Sequence, residues 1–120
     1  MKKKVFVNIA GQPYEIIASD AQTYPVLDKA YGVCNSNNHT ILILEDLPEA
    51  KFAHTLTHEV LHALIAESGG AYATAAAMGV GEDDPKVNAW EEMFVRVMTP
   101  HVLAAFGAPM LNHGKRRRQD

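Results

Sequence analysis

Residues 46–70 constrain this chain more than any other stretch. Asp46-Leu47-Pro48-Glu49 reads as a helix start, with Asp46 able to cap, Pro48 in the first turn and Glu49 three residues after Asp46 as in a capping box. Ser68-Gly69-Gly70 reads as the stop, so the pattern predicts a helix ending near Glu67. Thr40-Ile41-Leu42-Ile43-Leu44, immediately before it, is a β-branched apolar run that reads as a well-buried strand. A strand delivered straight into a long helix makes that helix the centre of the domain.

Inside the helix stands His58-Glu59-Val60-Leu61-His62. Residues four apart lie on one helix face roughly 5–6 Å from each other, so two imidazoles can converge on one metal ion. Glu59 sits roughly 100° round from His58, within reach of a metal-activated water without being a ligand itself. Zinc lowers the pKa of such a water to about 7, and a carboxylate can then take its proton as the oxygen attacks a carbonyl. His54 falls one further step back along the same face, but the pair His54/His58 lacks an acid placed directly after its first histidine. It reads as a surface residue or one supporting the site.

Zinc needs a third protein ligand and an open position. Glu67 lies five residues past His62, about 140° round the helix, and points away. The extended metzincin pattern is excluded, because Ile65 and Ser68 stand where its glycine and third histidine belong. The remaining source is the last predicted helix, which starts near Asp84-Pro85 and passes through Trp90, Phe94 and Met98 toward Pro100, where a kink is expected. Glu91 shares a stripe there with Val87, Phe94, Val95, Met98 and Val102. An acid on an apolar stripe is costly unless paired or metal-bound, which selects Glu91 as third ligand. Glu92, grouped with Asn88, Arg96 and Thr99 on the more polar side, is the alternative. Tyr72 and His101 are weaker candidates for contacting a reacting group.

The rest of the chain reads as a small α+β domain. Val5–Ile9 and Tyr14–Ala18 form a hairpin about Gly11-Gln12-Pro13. Ala21–Ala30 reads as a short helix broken near Pro25, Gly32–His39 as a polar turn region, and Ala71–Met78 as a further small-residue helix. The expectation is a three-stranded, mostly antiparallel sheet packed on the histidine-bearing helix and a long C-terminal helix, one domain over residues 1–111. Residues 112–120 read as a basic, disordered tail.

Charge and cysteine usage bound the partners. The net charge of −3 conceals basic ends: Lys2–Lys4 and Lys115–Arg118 hold seven of the eleven Lys and Arg, while thirteen of the fourteen acids lie between. An acidic body is a poor nucleic-acid surface, and no membrane segment is read. The single cysteine, Cys34, has no partner for an internal disulfide, in keeping with a reducing cytoplasm.

Taken together, Tyr31-Gly32-Val33-Cys34, Thr40-Ile41-Leu42-Ile43, Thr55-Leu56-Thr57-His58-Glu59-Val60-Leu61-His62-Ala63-Leu64 and Glu91-Glu92 resemble the ImmA/IrrE-type metallopeptidases, particularly their short phage-encoded members. The likeness covers roughly residues 3 to 108, sharp at the helix and loose elsewhere. It implies a minimal HExxH zincin in which His58, His62 and Glu91 match the Zn2+ ligands and Glu59 the catalytic base. It also implies a protein or peptide substrate, such as a phage regulator. Glu91-Glu92-Met93-Phe94-Val95-Arg96 fits the family's signature imperfectly, which leaves Glu91 and Glu92 both open. Two other readings are a non-catalytic zinc-stabilised protein that binds a partner, and a metal-free protein using its basic ends on nucleic acid.

Overall fold

The computed structural model describes residues 4–107. The expected tail at 112–120, and the last four residues of the expected domain, lie outside the described residues.

Two strands open the chain, β1 (Val5–Ile9) and β2 (Gln12–Ser19), paired antiparallel. Their turn is Ala10-Gly11, both at positive φ (52° and 88°), the geometry of a two-residue hairpin loop. The turn therefore falls one step earlier than Gly11-Gln12-Pro13, and Pro13 sits in β2 opposite Asn8. The helix expected over 21–30 reduces to one 3-10 turn at Pro25–Asp28, which buries Leu27.

The segment read as a polar turn holds a further strand, β3 (Gly32–Asn35), and only Ser36–His39 turns before β4 (Thr40–Leu44). Asn35 Oδ1 accepts from the Asn37 and Asn38 backbone N–H groups, and His39 takes a left-handed φ of 56°. This asparagine-rich text is turn chemistry attached to a strand end. The sheet therefore has four strands in the order β1-β2-β4-β3. β2 and β4 run parallel, and the other two pairs are antiparallel. The expectation of a three-stranded, mostly antiparallel sheet is corrected to a mixed four-stranded one.

Three helices follow: α1 (Glu49–Glu67), α2 (Gly70–Met78) and α3 (Pro85–Phe106). α1 ends where expected, but Pro48 occupies its N-cap with no side-chain cap, so the capping box does not form. α3 is capped as its sequence suggests, with Asp84 Oδ1 accepting from Lys86 N–H at 2.9 Å. It continues through Pro100 to Phe106.

One face of the sheet packs on α1. The register sets Ile16, Ile41 and Cys34 in one cross-strand row and Ala18, Ile43 and Gly32 in the next. Ile41, Ile43 and Tyr14 are fully buried beside Leu56 and Ala63 of α1. α3 packs against α1 and α2 and buries Val87, Val95 and Thr99. Among the described residues, no helix is long and apolar enough to cross a membrane.

Candidate metal centre

α1 presents Thr55 and Glu59 to the sheet and His58 and His62 to α3. Glu59 is 8% exposed, while both histidines are half-buried. Their rings lie 4.9 Å apart, as an i, i+4 pair on one helix face must. His54, one turn earlier, is exposed, and so are Tyr72 and His101.

α3 brings two acids to these rings, and they engage different atoms. Glu92 reaches across both outer nitrogens: its Oε1 is 3.4 Å from His58 Nε2 and its Oε2 is 3.1 Å from His62 Nε2. Glu91 instead meets the opposite side of His62, whose Nδ1–H donates to Glu91 Oε2 at 2.6 Å. One donor atom from each of His58, His62 and Glu92 lies within 4.8 Å of the others. Around zinc with bonds of roughly 2.0–2.1 Å, tetrahedral ligand atoms stand about 3.3 Å apart. The two Glu92 contacts have that spacing. The 2.6 Å Glu91 contact is a hydrogen-bond length, with no room for an ion between its atoms.

This placement differs from the expectation that Glu91 joins the two histidines, and the reason lies at Thr99. Grouping Thr99 with Arg96 on a polar side turned Glu92 outward. In the fold Thr99 is fully buried, its hydroxyl donating to the Val95 carbonyl at 2.6 Å. A threonine satisfied by its own helix belongs to the core face. That shifts the face toward α1 by part of a turn and brings Glu92 in. Phe94 stacks on Trp90, ring centroids 5.1 Å apart, on the far side. Glu67 points away as expected, accepting from the Tyr14 hydroxyl at 2.6 Å.

The surroundings tune the charges. Burial above all pushes the Glu59 carboxyl up to about 7; nearby Glu92 adds to this, while His62 and the Cys34 backbone N–H oppose it. Burial, and then the neighbouring His62, hold His58 below its ordinary value, favouring the neutral imidazole that a metal requires. Burial with nearby Glu59 and Glu91 pushes the Cys34 thiol up to about 12, which makes it an inert thiol rather than a nucleophile.

A cleft of about 510 Å³ opens over these groups, bounded by β3, α1, the start of α2 and α3. Its β3 wall (Gly32, Val33 and Cys34, continued by Ser36) was not visible in a segment read as a turn. The signal available was Gly32, since a lone glycine inside a strand-like run marks close backbone approach. β4, which leads directly into α1, lies between β2 and β3 with both edges taken. The sheet edge beside the cleft belongs to β3.

No protein-family model, curated protein or solved structure matches this chain.

Proposed function

We propose that this chain is a zinc-dependent metallopeptidase of minimal zincin type, with His58, His62 and Glu92 as metal ligands and Glu59 as general base. The observation that carries the reading is the convergence of two imidazoles and one carboxylate, with each Nε2 3.1–3.4 Å from a Glu92 oxygen and one donor from each residue within 4.8 Å of the others. A buried acid stands next to them on the same helix, at the floor of an open cleft. Three protein donors are the number that a catalytic zinc would take, where a structural zinc would need four.

Zinc held by His58, His62 and Glu92 would supply an activated water and polarise a substrate carbonyl. The rest is done by this chain's own side chains. His58 and His62 donate as neutral imidazoles from one rigid helix, so their separation is set before any ligand arrives. Glu59 takes the proton of the attacking water and delivers it to the departing amine, forming acid and amine from one peptide bond. An extended peptide can lie along the outer edge of β3, the sheet edge that borders the cleft, and add there as a further strand. The substrate class is therefore protein or peptide, and a phage regulator is the kind of substrate that the ImmA/IrrE resemblance implies.

Glu59→Gln separates this reading from a zinc protein that only binds a partner. The expected result is one equivalent of zinc by elemental analysis in both proteins. Cleavage of a degenerate peptide library, read by mass spectrometry, should fall about 100-fold or more in the variant. Equal cleavage by both proteins overturns the mechanism. Less than about a tenth of an equivalent of zinc in wild-type protein prepared without chelators overturns the metal site itself.

A further inference from the structure

Imidazole has two nitrogens on opposite sides of one ring, and only one can face a metal. At His62 the two are already divided: Nε2 lies 3.1 Å from Glu92 Oε2, and Nδ1 lies 2.6 Å from Glu91 Oε2. Glu91 and Glu92 are adjacent on α3, about 100° apart around its axis, which is how one helix delivers acids to both sides of the ring. The Glu91 side chain is 21% exposed against 44% for Glu92, and His62 is 17% exposed, so the Nδ1 contact is the more sheltered of the two.

We infer that Glu91 is a positioning residue: its carboxylate accepts the Nδ1–H of His62, fixes that tautomer and ring orientation, and so commits Nε2 to the metal. This rests on the zinc reading above and deepens it by assigning the second glutamate. A carboxylate behind a metal-bound imidazole also raises the ligand's basicity, and removing such a partner typically weakens metal binding about 10–100-fold without removing the site. Glu91 then makes no bond to the metal, which reverses the assignment that the family-like spacing implies. Adjacent glutamates take unequal roles because each meets a different nitrogen.

The test compares full-length wild type with Glu91→Ala, Glu91→Gln and Glu92→Ala. Zinc affinity is measured by competition with a chromophoric chelator, and the ligand set by the absorption bands of the Co2+-loaded proteins. Glu91→Ala is expected to keep one equivalent of metal and an unchanged Co2+ spectrum while its affinity falls about 10–100-fold. Glu91→Gln, whose amide oxygen still accepts a hydrogen bond, should fall between it and wild type. Glu92→Ala should lose stoichiometric binding or shift the Co2+ bands. A purely structural role for Glu91 would lower thermal stability and leave affinity untouched, which overturns the inference while the zinc reading stands. Loss of the site in Glu91→Ala with retention in Glu92→Ala overturns it also, by making Glu91 the ligand. A wild-type protein that binds no zinc overturns both this inference and the function on which it rests. Should Glu91→Ala fail to fold by circular dichroism, Glu91→Gln preserves the side-chain shape and decides on the same terms.

Discussion

Gly32 lies where β3 passes closest to α1. A Cβ built there would stand 2.7 Å from Thr55 Cγ2, 3.1 Å from Ile43 Cδ1 and 3.2 Å from Glu59 Cγ. The first distance is shorter than side chains tolerate, and Thr55 and Ile43 are held by the core. Gly32→Ala is therefore expected to cost about 1–3 kcal/mol in urea unfolding. Because Glu59 is one of the displaced neighbours, any peptidase activity should fall further than the loss of stability explains. A variant as stable as wild type would mean that β3 can move away from α1. Tyr14 makes a second residue-scale tie, from the sheet to the last residue of α1. The fully buried Tyr14 donates its hydroxyl to the partly exposed Glu67, and burial first, then Glu67, raises its pKa. For a hydroxyl whose pKa is raised by folding, the stabilisation is complete below the unfolded value of about 10 and is lost as pH rises above it. Tyr14→Phe should cost about 1–2 kcal/mol at about pH 7. It should also remove part of the decline that wild type shows in urea midpoint toward about pH 11. Equal declines in the two proteins would sink this assignment.

α3 shows how far an element can depart from its own punctuation. Proline inside a helix removes one hydrogen bond and crowds the carbonyl four residues earlier, at a cost of about 3 kcal/mol. Yet α3 runs on through Pro100, with Val95 and Thr99 buried beneath it and Pro100 itself on the exposed side. Tertiary packing on α1 outweighs the local penalty, and the expected kink does not end the helix. Pro100→Ala should raise stability by about 1–3 kcal/mol in urea unfolding, since the restored N–H faces the Arg96 carbonyl and no buried contact is lost. A lower midpoint would show that α3 needs the bend proline imposes in order to lie along α1. At β3 the opposite happened. Four residues of modest strand propensity were absorbed into the sheet because β4 offered them a free edge. Adjacent Asn-rich text marked only the turn. Strand pairing is decided between segments, so a four-residue strand leaves little trace in its own composition.

For the molecule as a whole, the proposed site is also a clasp. Its donors come from α1 and α3, so an ion bound to them cross-links the sheet-and-α1 core to the C-terminal helix. Anything that binds only the folded form adds stability by mass action, about 2.7 kcal/mol at a hundred times its Kd. For a domain of this size that corresponds to a rise in Tm on the order of 10 °C with zinc. His58→Ala should show no such rise, and an equal rise in that variant would place the bound zinc elsewhere.

The divide between legible and illegible follows the range of the forces involved. The hairpin, the buried strand at Thr40–Leu44 and the extents of α1 and α3 could be read from the chain, because turn chemistry and periodicity act within a few residues. The presentation of His58, Glu59 and His62 was equally legible, since four residues on any helix return to one face. The strand order, the mixed pairing, the β3 wall of the cleft and the choice between Glu91 and Glu92 were not. Each depends on how one element meets another. For the last, a rotation of α3 by a fraction of the roughly 100° between neighbours is enough, and the burial of Thr99 marks which way the buried face of α3 is turned. The sequence by itself determined that two imidazoles and an acid would share one helix; only the packing of α3 on α1 decided which glutamate faces both Nε2 atoms and which lies behind the ring.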